Sequence, residues 1–185
     1  MTLSEEVYRP NAEVDPLLIV VMGVSGTGKS TLANEFSLRH QFTYLDADSF
    51  HSEQAIQQMS QGIPLTNTQR IPWINRIYEQ LRKYRQQHKN CILAYSGLKK
   101  AHREVIFSAY THRLGVLLNA DPQLIRERFA QRSDHFMSSK LLDNQFAEME
   151  PFDNNESLLN LNISCSVEEL IEQLQNFISA KALKF

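Results

Sequence analysis

Residues Leu17–Thr31 have the sequence LLIVVMGVSGTGKST, and this stretch decides the fold class of the chain. Its first six residues are all apolar, which is the length of a buried strand and too short to cross a membrane. The run breaks at Gly23, and residues 23–30 match the pattern G-x-x-x-x-G-K-[ST] at every fixed position. A buried strand that leads through this loop into a helix predicts a binding site for the phosphates of a nucleotide.

The residue types in this loop suit polyphosphate binding. Glycines allow positive φ angles and leave room for backbone N–H groups to surround the anion. Lys29 is predicted to reach the β- and γ-phosphates, and the hydroxyl of Ser30 to bind Mg²⁺. The helix that begins near Lys29 directs its positive end at the same phosphates.

Length and composition favour one domain without a general attraction to polyanions. The chain has 185 residues, a net charge of −2 and a pI of about 6.3, so neither nucleic acid nor a membrane surface is an expected partner. Cys91 and Cys165 lie far apart and are expected to be reduced thiols. Residues 1–16 are polar and have no apolar signal core, which predicts a flexible tail, a single domain over 17–185 and a cytoplasmic protein.

Strand and helix patterns alternate after the loop. Further strands are predicted at 42–45, 91–95, 114–118 and 158–163, with helices at 30–40, 52–62, 100–110, from 122, and at 167–178. A turn-rich link is predicted over 63–71, followed by a helix with Pro72 in its first turn. Residues 133–155 are polar and weakly periodic, which is typical of a mobile segment. The pattern predicts an α/β fold: a five-stranded parallel sheet with helices on both faces.

Two carboxylates follow the second predicted strand. Asp46 and Asp48 are two residues apart, so an extended chain directs both to one side. In a parallel sheet this strand end meets the phosphate loop, where phosphoryl transfer needs one carboxylate near the metal and another near the attacking hydroxyl. The alternative is a pair of exposed loop carboxylates.

Cationic side chains offer several candidates without selecting among them. Arg128 and Arg132 are four residues apart on one predicted helix, where they either stabilise a transferring phosphate or form a solvated basic face. A substrate carboxylate would favour an arginine for bidentate contact. The candidates near predicted strand or helix ends are Arg70, Lys99, Lys100 and Arg103. His51 could hydrogen-bond a polyol, although a lone loop histidine is more often incidental.

Blocks along most of the chain, from about Ile19 to the C-terminal helix, resemble the small gluconate kinases, which are related to shikimate and nucleoside monophosphate kinases. The blocks are VMGVSGTGKST (21–31), LDADSFH (45–51), MSQGIPL (59–65), QRIPW (69–73), SGLKKAHRE (96–104), RFAQRSDHF (128–136) and LLDNQFAEMEP (141–151). The resemblance implies a P-loop NTPase fold of three layers. It also implies ATP- and Mg²⁺-dependent phosphorylation of D-gluconate at its 6-hydroxyl, which gives 6-phosphogluconate. A lid is implied at about 133–146, and a homodimer is common among relatives.

The resemblance also assigns roles to residues. Nucleotide binding falls to Gly23, Ser25, Gly26, Thr27, Gly28, Lys29, Ser30, Thr31 and Arg128. Lys29, Asp48 as the base, and Arg132 are the implied catalytic residues, and Ser30 and Asp46 are the implied metal ligands. Asp48, His51, Arg70, Lys99 and Arg103 are the candidates for binding the sugar acid.

The acceptor side departs from the family pattern. The family has D-G-D where this chain has Asp46-Ala47-Asp48, and the S-A-L-K-x-x-Y-R-D block is altered by Gly97, His102 and Glu104. Uncharged residues 66–69 replace the aspartates typical before Arg70. The alternatives are therefore a kinase for another sugar acid or small acceptor, or a weakly catalytic regulatory protein that binds nucleotides.

Overall fold

The structure is a computed structural model that describes residues 15–131, 139–153 and 158–181. Its strands are β1 Leu17–Met22, β2 Thr43–Asp46, β3 Cys91–Ala94, β4 His112–Asn119 and β5 Leu158–Asn162. Its helices are α1 Lys29–His40, α2 Glu53–Ser60, α3 Asn67–Gln86, α4 Lys100–Phe107, α5 Pro122–Ala130, α6 Ser139–Glu148 and α7 Val167–Ala180. A 3₁₀ turn, Ala47–Phe50, follows β2.

The five strands form one sheet in the order β2-β3-β1-β4-β5, and every neighbouring pair is parallel. The predicted α/β architecture is confirmed. Parallel strands bring their carboxyl ends to one edge. The phosphate loop after β1 therefore lies between the segments that follow β3 and β4, and the Asp46 end of β2 is one strand further away.

The central strand β1 has a helical layer on each face. All six of its residues are completely buried. Leu17, Ile19 and Val21 pack in one cluster with residues of α1 and α7, whereas Leu18, Val20 and Met22 pack with residues of α3 and α4. Because side chains alternate along a strand, an apolar run at every position requires a core on both faces.

Helix α3 begins earlier than the sequence analysis predicted. The residues expected to form a turn-rich link include Thr66, whose hydroxyl accepts a hydrogen bond from the N–H of Gln69, while the Gln69 side chain accepts from the N–H of Thr66. This capping box starts the helix at Asn67, so Pro72 lies inside it and not in its first turn. The prediction of a link that extends to residue 71 is therefore wrong, because the Thr66–Gln69 capping box, and not Pro72, sets the start of the helix.

Part of the segment expected to be mobile is a packed helix. Leu141, Leu142 and Gln145 of α6 are buried, and Leu142 joins the same core cluster as α1. Residues 133–138 of the predicted lid, and residues 1–14 of the predicted tail, lie outside the described residues, so the lid and tail remain predictions. No helix in the described ranges is long and apolar enough to span a bilayer.

Candidate active site

The phosphate loop follows β1 with a backbone that requires glycine. Gly23 has φ +142°, and a Cβ there would lie 2.7 Å from the carbonyl oxygen of Leu118. Gly26 has φ +89°, with the carbonyl oxygen of Ile125 at 3.1 Å from such a Cβ. Neighbouring backbone thus approaches the loop too closely for side chains at these positions. In contrast, a Cβ at Gly28 would meet nothing within 4 Å, so open space adjoins that residue.

The open space lies at the N-terminus of α1. Gly28 is its N-cap in the left-handed conformation, and no side chain caps the helix there. Lys29 Nζ donates to the carbonyl oxygen of Val24 at 3.0 Å, which holds the ammonium group over the loop. Backbone N–H groups, the positive end of the helix dipole and an ammonium group therefore converge on a site suited to phosphate.

Asp46 connects the end of β2 to this loop. Its Oδ2 accepts hydrogen bonds from the hydroxyls of Ser30 and Tyr44, each at 3.1 Å, and its Oδ1 accepts from the N–H of Asp48 at 3.0 Å. Burial raises the pKa of Tyr44 to about 12, so this phenol remains a donor at neutral pH. Asp46 thereby caps the 3₁₀ turn, which brings Asp48 to the same cavity.

The 3₁₀ turn is held from α3. The indole Nε1 of Trp73 donates to the carbonyl oxygen of Ala47 at 2.7 Å. The ring of His51 stacks on the same indole, with centroids 4.2 Å apart and planes at 17°. Trp73 therefore fixes the position of the turn that carries Asp48. Trp73 and His51 also form part of the cavity wall.

His51 is neutral at physiological pH. Its side chain is only 4% exposed, and burial, with added repulsion from Arg76 and Arg70, lowers its pKa to about 4. Its Nδ1 is buried and has no hydrogen-bond partner in the described part of the chain. A neutral imidazole can donate at one nitrogen and accept at the other, which suits a hydroxyl group in the cavity.

Arg70 lines the same cavity from α3. Its Nη2 lies 2.6 Å from Glu148 Oε2, in an ion pair that does not have hydrogen-bond alignment, and its side chain is 10% exposed. Its Nη1 is buried without a hydrogen-bond partner among the described residues. A buried guanidinium donor that lacks an acceptor is costly, so the cavity offers a place where an anionic oxygen would be bound strongly.

The other cationic candidates bind the segment that follows α6. Arg103 is completely buried and donates to the carbonyl oxygens of Gly97, Glu150 and Pro151 at 2.9, 3.3 and 2.8 Å. Lys99 Nζ lies 3.3 Å from Glu150 Oε1. Neither side chain is among those that line the cavity. Arg103 thus differs from the sequence-based expectation of a substrate contact, because its donors are directed at backbone carbonyls.

The cavity gathers most of the candidate residues. Those that line it are Ser25, Gly28, Lys29, Ser30, Asp46, Asp48, His51 and Arg70. Gly23, Gly26, Thr27 and Thr31 belong to the loop or the start of α1 but do not line the cavity. Arg128 is an exposed residue of α5 away from it. Arg132 lies outside the described residues.

Several residues that line the cavity are not among the candidates predicted from the sequence. Tyr95 follows β3 and is 2% exposed, and burial raises its pKa above the ordinary value. Its position directly after a predicted parallel strand is the sequence feature that indicates a residue at the ligand-binding edge of the sheet. Gln145 Oε1 accepts a hydrogen bond from the N–H of Ser25 at 2.7 Å, across 120 residues of sequence, and no local pattern indicates that contact.

Comparisons with known proteins show which family and fold the whole chain resembles. A family model described as an AAA domain matches residues 18–152. A probable gluconokinase of Dictyostelium discoideum is 34% identical over 95% of this chain and 96% of its own. The crystal structure of a sugar kinase from Janibacter sp. HTCC2649 superposes with a TM-score of 0.84 at 32% identity, covering 92% of this chain and 99% of that one. A gluconokinase structure from Sinorhizobium meliloti 1021 has a TM-score of 0.80 at 28% identity, covering 91% and 95%.

Proposed function

The chain belongs to the gluconokinase family, and we propose from this membership and from the cavity that it transfers the γ-phosphoryl group of ATP to the 6-hydroxyl of D-gluconate. The observation that carries the substrate proposal is Arg70. It is the buried cation of the cavity whose Nη1 has no partner in the described ranges, and it lies in the same cavity as the phosphate loop. A sugar acid supplies the carboxylate that this donor needs.

The side of the cavity formed by the phosphate loop and the N-terminus of α1, called the donor side, is proposed to bind the triphosphate of ATP. The loop N–H groups and the N-terminus of α1 would surround the phosphates, and Lys29 would exchange the Val24 carbonyl for phosphate oxygens. Arg128 and Arg132 are proposed to stabilise the nucleotide and the charge of the transferring group.

The residues present fit Mg²⁺. Ser30 Oγ and Asp46 Oδ2 are oxygen atoms of the kind that bind Mg²⁺, and they lie 3.1 Å apart at the edge of the loop. The described ranges contain no cluster of three histidine, cysteine or acidic side chains, and Mg²⁺ in kinases is held by one or two protein oxygens with phosphates and waters. When bound, the ion would neutralise phosphate charge. Ser30 and Asp46 are the residues proposed to hold it.

On the acceptor side, Asp48 is proposed as the general base. Its carboxylate would take the proton of the 6-hydroxyl while that oxygen forms a bond to the γ-phosphorus and the bond to the bridging oxygen of ADP breaks. Arg70 would bind the carboxylate of gluconate at the other end of the sugar chain, and neutral His51 would hydrogen-bond a hydroxyl between them. The lid, the homodimer and the cytoplasmic location expected from the sequence remain part of this proposal.

An acceptor panel tests the proposal. ADP release would be measured with gluconate, with glucitol as its neutral analogue, with shikimate and with AMP. Gluconate should be preferred over glucitol by at least about 100-fold in kcat/KM, because only gluconate pairs with Arg70. Arg70→Met should abolish this preference, whereas Arg82→Met on the same helix should retain it. Equal turnover of glucitol, or preference for AMP, would overturn the proposal.

A further inference from the structure

Helix α6 contacts both halves of the cavity within one turn. Gln145 Oε1 accepts a hydrogen bond from the N–H of Ser25 in the phosphate loop, at 2.7 Å. Three residues later, Glu148 Oε2 forms its ion pair with Nη2 of Arg70 at 2.6 Å. Side chains three residues apart lie on the same face of a helix. One turn of α6 therefore connects the donor side of the cavity to the arginine of the acceptor side.

The orientation of Arg70 depends on Glu148. Residues 66–69, which precede Arg70 on or beside α3, are uncharged, so no carboxylate in that turn contacts the guanidinium. Glu148 is its ion-pair partner in the described part of the chain, and the Glu148 side chain is 25% exposed. Arg70 lines the cavity but Glu148 does not. The carboxylate thus holds one end of the guanidinium without occupying the space a ligand would use.

We propose that Glu148 is a positioning residue for the acceptor: it acts through Arg70 and sets the free Nη1 to receive the substrate carboxylate. This inference rests on the proposed function. The guanidinium is planar, so fixing Nη2 restricts where Nη1 can lie, and a donor already ordered loses less freedom when a ligand binds. Gln145 anchors the same turn of α6 to the phosphate loop, so these two contacts connect Arg70 to the phosphate loop.

A double-mutant cycle tests whether Glu148 acts through Arg70. Glu148→Gln keeps the size and an acceptor oxygen but removes the charge. We expect it to raise the KM for gluconate about tenfold, with kcat within about threefold and the KM for ATP unchanged. In an Arg70→Met background the same substitution should cause no further rise in the gluconate KM, because the group it positions is gone.

The matched control is Asp143→Asn, which removes a charge from the same helix. Asp143 pairs with Arg126 at 3.0 Å on an exposed surface, so its loss should leave the KM for gluconate within about twofold. Thermal unfolding of each variant reports loss of folding separately. A purely structural role for Glu148 would lower the unfolding temperature and leave the KM of the folded enzyme unchanged, and that result would overturn the inference.

The outcomes also separate this inference from the proposed function. An equal rise in KM from Glu148→Gln in both backgrounds, or a fall in KM, would overturn the positioning role while gluconate turnover by the unmodified enzyme upheld the function. If the unmodified enzyme uses another sugar acid, the proposed substrate fails and the cycle is measured with that acid. If it phosphorylates no carboxylate-bearing acceptor, both are overturned.

Discussion

Ser30 Oγ donates a hydrogen bond to Asp46 Oδ2 across 3.1 Å, which joins the first turn of α1 to the end of β2. The same carboxylate accepts a hydrogen bond from Tyr44 and caps the turn that carries Asp48. One side chain therefore couples the phosphate loop, the proposed metal position and the proposed base. Loss of the Asp46 carboxylate should mainly change the Mg²⁺ dependence of the reaction, because Ser30 alone is a weak metal ligand.

Asp46→Asn is expected to lower kcat about 100-fold and to raise the Mg²⁺ concentration needed for half-maximal activity, because an anionic ligand becomes neutral. Steady-state rates over a Mg²⁺ titration measure both quantities. Tyr44→Phe is the matched control: it removes one hydrogen bond to the same oxygen but leaves the carboxylate. An unchanged Mg²⁺ dependence in Asp46→Asn would show that Asp46 is not a metal ligand.

Asp48→Asn should lower kcat by at least about 100-fold while the Kd for ATP stays within about twofold, because the base acts on the acceptor and not on nucleotide binding. Rapid-quench measurements with excess enzyme report the chemical step, and calorimetry reports ATP binding. Ser49→Ala, in the same 3₁₀ turn, is the control for disturbance of the backbone. A kcat close to that of the unmodified enzyme would exclude Asp48 as the base.

His51 makes the stability of the fold depend on pH. Because its folded-state pKa is about 4 and the ordinary value is 6.5, the unfolded chain binds a proton between these pH values that the folded protein does not. The free energy of unfolding should therefore fall by about 2–3 kcal/mol as the pH drops from 7 to 4 through this group alone.

Urea unfolding at several pH values measures this dependence. His51→Gln should reduce the fall in stability between pH 7 and pH 4 relative to the unmodified protein, even though it also loses the stacking on Trp73. His112→Gln, at a histidine whose side chain is 47% exposed, is the control and should retain the dependence. Identical pH profiles for the unmodified protein and His51→Gln would contradict the assignment of a buried neutral imidazole.

Arg103→Met should destabilise the fold without a specific effect on the acceptor. The substitution leaves three backbone carbonyls without their donor, which we expect to cost about 2–4 kcal/mol in the free energy of unfolding. Arg113→Met, at a more exposed arginine that also donates to carbonyls, should cost less. A raised gluconate KM with unchanged stability would restore Arg103 as a substrate contact.

The sequence was most informative where a local pattern has one structural solution. The apolar run of β1 and the loop after it are sufficient to predict the strand, the start of α1 and the edge of the sheet where ligands bind. Asp46 and Asp48 are predictable as site residues because the carboxyl ends of strands converge in parallel sheets. These inferences need only the neighbours of a residue in sequence and the general topology of the fold.

The roles of the cations could not be predicted in this way. Arg70, Lys99 and Arg103 look equivalent in sequence, and their partners lie on a segment 47–78 residues away. Only the packing of α6 and residues 148–153 distinguishes a guanidinium that lines the cavity from one that binds backbone. The contact between Gln145 and Ser25 is unpredictable for the same reason, because long-range hydrogen bonds leave no periodic pattern in the sequence.

The most direct test of the proposed function is to identify the product. D-Gluconate, ATP and Mg²⁺ would be incubated with the protein, and the phosphorylated product located by ³¹P–¹H correlation NMR. The prediction is a phosphate coupled to the two protons on C6, formed in equal amount to ADP and absent with Lys29→Ala. Phosphate on another hydroxyl, or ATP consumption without phosphorylated gluconate, would contradict the proposal.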